Sequence, residues 1–117
     1  MRIKPDKIKQ GEQFPKQFCL TGATTDEFEQ IVAKFYHTDV DQSVVFVKVP
    51  DPAYPDASII DVYEDKINFH CFFTESITSK MELGLWKVEI KCDYLGNISP
   101  IWKIKDNVFI VRSSEID

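Results

Sequence analysis

The 117-residue sequence lacks a long apolar run, because charged residues interrupt every apolar stretch after a few positions. A transmembrane helix needs about 20 predominantly apolar residues, so the sequence predicts no membrane-spanning segment and no membrane partner. The first seven residues, Met-Arg-Ile-Lys-Pro-Asp-Lys, also lack the apolar core of a signal peptide. We therefore expect the protein to fold in the compartment where it is made.

An excess of positive charge is absent as well. The chain has 14 Lys and Arg residues against 19 Asp and Glu residues, which gives a formal net charge of −5. Proteins that bind nucleic acids usually gather basic residues on one face to contact phosphates. Here the basic residues alternate with apolar ones, as in residues 87–91, which is typical of the solvated face of a strand. The sequence thus predicts no nucleic-acid partner.

Cysteine is scarce and follows no metal-binding pattern. Cys19, Cys71 and Cys92 are odd in number and far apart, and the sequence contains no Cys-x-x-Cys pair that would suggest zinc. Each lies in an apolar, strand-like stretch. We interpret all three as buried, reduced thiols.

The parts of an active site are also missing from the pattern. The four glycines are isolated, so no phosphate-binding loop is predicted, and clustered loop carboxylates lack the spacing of an EF-hand. His37 and His70 are the only histidines, and neither has a carboxylate or a second histidine at ligand spacing. Cys71 follows His70, but neighbours on a strand point to opposite faces. The sequence therefore predicts no catalytic residue, no metal and no cofactor, and a protein that is not an enzyme.

Alternation of apolar and polar residues is the dominant pattern that is present. In residues 86–94 every second residue is apolar and the intervening ones are charged, which predicts a half-buried strand. Residues 95–97 then suit a hairpin turn. We predict a returning strand over residues 98–105, a turn at residues 106–107 and a closing strand at residues 108–112.

Earlier segments suggest a set of short strands. The predicted strands cover residues 7–10, 14–20, 44–49, 59–63 and 67–73. Turn residues separate the strands at intervals of roughly 8–12 residues, which is typical of a sandwich. The fold class predicted is all-β, an immunoglobulin-like antiparallel sandwich of seven to eight strands. A short helical turn is predicted at about residues 77–82.

Residues 28–36 fit two structures. Phe28, Ile31, Val32, Phe35 and Tyr36 have the spacing of an amphipathic helix, although the surrounding pattern favours a strand. The preceding Thr-Thr-Asp-Glu also resembles a capping box. Our interpretation is a helical turn at about 25–29 that is followed by a strand as far as residue 38.

The domain prediction has three parts, and two of them supply candidate contact residues. We expect an N-terminal arm at residues 1–7, the sandwich at residues 8–112 and a frayed C-terminus at residues 113–117. The proline-rich residues 50–56 must form a loop, and its Tyr54 has no obvious place in the core. The candidate protein contacts are Pro52, Tyr54 and Pro55 in the loop, with Met1 and Ile3 in the arm.

Several motifs along the chain carry a family resemblance. They are Lys-Gln-Gly-Glu-Gln-Phe at residues 9–14, Leu-Thr-Gly-Ala-Thr at residues 20–24, Gly-Leu-Trp-Lys-Val-Glu-Ile at residues 84–90 and Val-Phe-Ile-Val at residues 108–111. In this order they resemble the small immunoglobulin-like domain of tailed-phage structural proteins. The family includes the N-terminal domain of baseplate upper proteins and short virion proteins of Bacteroides phages. Glu12 departs from its pattern, which more often has Asp, and residues 25–30 are more helical than it expects.

The resemblance implies a virion structural protein, made in the cytoplasm of the bacterial host and built into the particle. Its role would be capsid decoration, or attachment within a tail, baseplate or fibre. Its expected partners are other virion proteins and further copies of itself in a homo-oligomer. The alternative that we carry forward is a carbohydrate- or ligand-binding sandwich module of a bacterial surface or mobile-element system.

Overall fold

The computed structural model describes residues 6–94 and 102–112, and within them the chain forms nine strands and two short helices. The strands are β1 (Asp6–Lys9), β2 (Phe14–Cys19), β3 (Phe28–His37), β4 (Ser43–Val47), β5 (Ser58–Ile59), β6 (Asp61–Val62), β7 (Asn68–Phe73), β8 (Gly84–Tyr94) and β9 (Trp102–Arg112). A 3-10 helix spans Thr25–Glu27, and the α-helix α1 spans Glu75–Thr78.

The strands build two sheets that pack as a sandwich. One sheet has the order β1-β9-β8-β3-β4-β5 and the other has the order β2-β7-β6. The pairs β1–β9 and β4–β5 are parallel and the remaining pairs are antiparallel. In this order, β2, β6 and β7 occupy the positions of one sheet of an immunoglobulin-like domain. The strands β3, β4, β8 and β9 occupy positions of its other sheet. The predicted all-β sandwich is confirmed.

The core between the sheets is rich in phenylalanine because strand alternation turns one face of each sheet inward. The Phe35 ring lies centrally, 4.8 Å from the Phe73 ring and 5.8 Å from the Phe46 ring, both in edge-to-face geometry. Phe18 joins the two sheets, since its ring lies 5.5 Å from Phe69 and 6.1 Å from Phe35. Such aromatic pairs each add about 0.5–1.5 kcal/mol beyond the area that they bury.

The strand predicted at residues 86–94 is confirmed, and it starts two residues earlier. Trp86, Val88, Ile90 and Cys92 are all buried, as the alternation requires.

The turn predicted at residues 106–107 is wrong. The chain continues through it as a single strand, β9, and the pairing with β8 shifts register so that Trp86 faces Phe109 while Lys87 faces Asn107. The extra residue, Val108, makes a bulge in an unbroken strand. Pairing with the long strand β8 has therefore overridden the local turn preference of Asp-Asn.

The interpretation of the ambiguous segment is confirmed. The 3-10 helix Thr25–Glu27 leads directly into β3, which continues to His37. The Glu27 carboxylate accepts a hydrogen bond from the Thr24 backbone N–H at 2.6 Å, as in a capping box.

Two predicted elements have different bounds. The strand predicted at residues 59–63 is divided at Ile60, which is buried and lets the chain cross from the edge of one sheet to the edge of the other. The helical turn predicted at residues 77–82 lies earlier, because the Thr74 hydroxyl caps α1 by accepting a bond from the Ile77 N–H.

Some predictions fall outside the described residues. They are the contact candidates Met1 and Ile3, the hairpin turn at residues 95–97, residues 98–101 of the predicted returning strand and the C-terminal residues 113–117.

Candidate functional site

An open cleft of about 460 Å³ lies beside the first residues of β4. The loop of residues 50–57, hereafter the proline loop, forms one wall, and α1 with the segment after it forms the other. Its apolar lining includes Val44, Tyr54, Ile77 and Met81. A cavity of this volume falls within the range of roughly 300–1,000 Å³ that is common for binding sites. We call it the Tyr54 cleft.

Backbone turns give the proline loop a defined shape. The Asp51 carboxylate accepts a hydrogen bond from the Ala53 N–H at 2.9 Å, and the Asp51 carbonyl accepts one from the Tyr54 N–H at 2.9 Å. The Tyr54 carbonyl then accepts a bond from the Ala57 N–H at 3.2 Å. These turns hold Tyr54 between the cleft and a second cavity under the loop.

The three contact candidates in the proline loop lie in different settings. Tyr54 is half-buried and lines both cavities, whereas Pro52 and Pro55 are exposed. Pro55 lines both cavities and Pro52 lines only the one under the loop. The structure thus places Tyr54 and Pro55 at a shared concave surface.

A glutamine that the sequence analysis missed closes one end of the cleft. The Gln42 side-chain amide donates to the Lys80 carbonyl, and its oxygen accepts a hydrogen bond from the Glu82 N–H at 2.8 Å. Gln42 therefore joins the start of β4 to the segment after α1, which lies about 40 residues further along the chain. No local pattern signals this clamp, because its partners are backbone groups that only the fold brings near.

A second surface group lies on the outer face of the three-stranded sheet. The His70 Nε2 atom lies 3.0 Å from the Asp61 carboxylate, and its Nδ1 lies 3.3 Å from the Tyr63 hydroxyl. The sequence spacing indicated no carboxylate partner for His70, but the pairing of β6 with β7 sets Asp61 opposite it. Tyr63 and Phe72 are 38% and 37% exposed on either side of the histidine.

His37 has a structural position. It is buried, its ring packs edge-to-face against Trp86 at 5.5 Å, and both ring nitrogens have backbone partners. Within the residues that the structure describes, no group of three or more His, Cys, Asp or Glu side chains is arranged to hold a metal ion.

The cysteines divide into two classes. Burial raises the pKa of the Cys92 thiol to about 12, and burial likewise raises the pKa of Cys71 strongly. Cys71 points into the core while its neighbour His70 points outward, as predicted. The prediction for Cys19 is wrong, since this free thiol is exposed at the end of β2.

Comparisons with known proteins find little. No family model matches the chain, and no curated protein matches it. Among solved structures, it is similar to a protein of Bacteroides vulgatus ATCC 8482 that is described as a candidate glycoside hydrolase, with 13% sequence identity and a TM-score of 0.45. The match covers 94% of this chain and 17% of that one. A likeness this weak carries no functional argument.

The two helices within residues 6–94 and 102–112 are short, and neither has the length and apolar composition of a membrane-spanning helix.

Proposed function

We propose that the protein is a non-enzymatic structural module of a tailed-phage virion, and that it acts through protein–protein contacts at the Tyr54 cleft. The observation that supports this proposal most is the preformed concave surface that Tyr54 and Pro55 form together with the first residues of β4. The role in a virion comes from the family resemblance, and the contact surface comes from the geometry.

The chemistry of the cleft suits a protein partner. Tyrosine is enriched at interfaces because it offers a large apolar ring and a polar hydroxyl, and few of its torsions must be ordered on binding. Tyr54 is already positioned by the turns around it, so binding there would order little of the chain. Ile77, which is half-buried, adds apolar surface on the facing wall.

A virion module need not bind tightly as a single copy. When many copies attach to one particle, each further contact forms at a high local concentration, and weak contacts together give strong retention. A shallow cleft with one aromatic anchor is sufficient for that mode of binding.

The test is a double substitution, Tyr54→Ala with Pro55→Ala, measured for particle retention and for thermal stability. Retention on intact phage particles from a lysate of the source should fall, and the melting temperature should move by less than about 5 °C. Tyr63→Ala is the matched control, because it removes an exposed tyrosine that lies beside His70 on the outer face of the three-stranded sheet. A large loss of stability would instead show that the loop residues are core packing, and unchanged retention would oppose the contact site.

A second candidate function, a carbohydrate-binding module, is favoured by the group around His70. Exposed Tyr63 and Phe72 could stack on sugar rings, and the Asp61 carboxylate could accept hydrogen bonds from hydroxyls. Binding of the chain to a glycan array, lost in Tyr63→Ala and retained in Tyr54→Ala, would support this function over the first.

A further inference from the structure

The hydrogen bonds of β4 determine which of its backbone groups face the Tyr54 cleft. The His37 N–H donates to the Gln42 carbonyl at 3.1 Å, and the Lys48 N–H donates to the Ile31 carbonyl at 2.9 Å. In an antiparallel pair, alternate residues direct their N–H and C=O groups to opposite sides of the strand. The even-numbered residues 42–48 therefore bond to β3, and Ser43, Val45 and Val47 direct their groups away from it.

The strand β5 covers only part of that outer edge. It pairs with Phe46 and Val47, and the Ile60 N–H donates to the Val47 carbonyl at 2.9 Å. The Tyr54 cleft lies alongside residues 43–45, and Ala57, the residue before β5, also lines it. Within the described part of the chain, the N–H groups of Ser43 and Val45 have no backbone partner.

An open sheet edge is a template for another strand. Unpaired N–H and C=O groups on an edge pair readily with an extended segment of another chain, and proteins usually protect such edges. Peptide recognition by strand addition uses this property, with main-chain bonds supplying affinity and neighbouring pockets supplying specificity. Here the walls of the cleft leave the edge accessible and provide those pockets.

The charges at the cleft indicate the chemistry of the incoming segment. The cleft has one exposed charge of each sign, Asp56 on the proline-loop wall and Lys80 on the facing wall, and no ion pair of Lys80 occurs among the described residues. A carboxylate on the partner could therefore pair with Lys80, on the wall that faces Asp56. The half-buried side chains of Val44 and Ile77 would contact an apolar side chain from the same segment. At a rise of about 3.3 Å per residue, roughly three residues are enough to cover the open edge.

We propose that the partner is another protein that inserts an extended segment, with apolar and acidic residues, as a short strand beside residues 43–45. This inference rests on the proposed function, because it specifies how a partner occupies the Tyr54 cleft. The segment extends the sheet in the position of β5, bonds to the N–H groups of Ser43 and Val45, and places its carboxylate near Lys80.

The decisive variant is Val45→Pro, which removes the outward N–H and leaves the bonds to β3 in place. Proline is tolerated on edge strands when its missing N–H faces outward, and the preceding Val44 is already in a strand. Val45→Thr is the matched control, since it keeps both the N–H and the branched shape. Ser43→Pro with Ser43→Ala as its control gives an independent pair in case Val45→Pro does not fold.

The probes are an immobilised library of random seven-residue peptides and intact phage particles from a lysate of the source. We expect enriched peptides to carry an acidic residue, to slow amide hydrogen exchange at Ser43 and Val45, and to bind Val45→Pro about tenfold more weakly than Val45→Thr. Lys80→Glu should also weaken their binding, whereas Lys80→Arg should preserve it.

Three outcomes would overturn strand addition: no enriched peptide, binding without protection of those amides, or equal binding by the proline and threonine variants. The particle experiment separates this failure from that of the proposed function. If particles retain Val45→Pro but not the Tyr54→Ala and Pro55→Ala variant, the contact site stands and strand addition is excluded. If particles retain neither the wild-type chain nor any variant, the virion function itself fails.

Discussion

The Nε2 atom of His37 donates a hydrogen bond to the carbonyl of Leu83 at 2.7 Å and so ties β3 to the segment that enters β8. The Nδ1 atom accepts hydrogen bonds from the N–H groups of Asp39 and Val40 at 2.9 and 3.1 Å. Because Nδ1 must be unprotonated to accept them, the proton lies on Nε2 and the ring is neutral. The buried His37 side chain thus holds two segments in place, the turn at residues 39–40 and the chain at Leu83.

Replacement of His37 should be costly. His37→Ala leaves the Leu83 carbonyl and two N–H groups without their partner and opens space beside Trp86. We expect the free energy of unfolding to fall by about 2–4 kcal/mol, measured by urea denaturation. His70→Ala is the control and should cost less than about 1 kcal/mol, because the His70 side chain is only half-buried and its partner Asp61 is exposed. A similar loss in both variants would contradict this role for His37.

The position of the His37 ring also requires a glycine at residue 84. Its φ of +125° is unfavourable for any residue with a side chain, and a Cβ atom there would lie 2.8 Å from His37 Nε2. Gly84→Ala should therefore destabilise the protein by about 1–3 kcal/mol. A double-mutant cycle with His37→Ala should give a combined loss smaller than the sum of the single losses, since removing the ring removes the clash. Strict additivity would show that backbone strain alone makes glycine necessary.

Much of the fold could be predicted from the sequence because alternation directly reflects burial. The alternation over residues 86–94 predicted β8, and the capping-box pattern before Phe28 predicted a helical turn that leads into a strand. The continuous β9 was missed because a bulge at Val108 depends on the partner strand, and local turn preference cannot reveal it. The split at Ile60 was missed because only the packing of the two sheets requires the chain to cross there.

The candidate site was predictable only in part. Tyr54 and Pro55 were identified because a proline-rich loop leaves its aromatic residue without a place in the strand pattern. Gln42 and Lys80 escaped detection, since they meet through contacts between distant parts of the chain. The same is true of Asp61 and His70, which lie nine positions apart and become neighbours through the pairing of β6 with β7.

The three thiols should differ in reactivity. Cys19 is exposed, whereas burial keeps Cys71 and Cys92 protonated by raising the pKa of each thiol. In the native protein at pH 8, a thiol reagent such as DTNB should modify one cysteine rapidly, and in denaturant it should modify all three. Cys19→Ser should abolish the rapid reaction. Rapid modification of more than one cysteine in the native state would contradict the burial of Cys71 or Cys92.

Asp65 should make stability depend on acid pH. The Asn68 N–H, the Asn68 side-chain amide and the Ile67 N–H donate hydrogen bonds to its carboxylate, and they lower its pKa below the ordinary value of 3.8. A lowered pKa means that this contribution is complete above pH 3.8 and is lost as the pH falls through the pKa of the folded state.

The variant Asp65→Ala should therefore be less stable than the wild type at neutral pH, and the difference should shrink as the pH falls below 3.8. Urea denaturation as a function of pH measures it. Asp56→Ala, at an exposed loop carboxylate, is the control. A difference between wild type and Asp65→Ala that stays constant to pH 2 would contradict the assignment.

The proposed virion function is tested most directly by co-sedimentation of the purified chain with intact phage particles from a lysate of its source, combined with its mass from light scattering. We predict that the wild-type chain is retained on particles, and that the Tyr54→Ala and Pro55→Ala variant is released while keeping its fold. A folded monomer that ignores particles and instead binds glycans through Tyr63 would contradict the virion function and favour the carbohydrate-binding module.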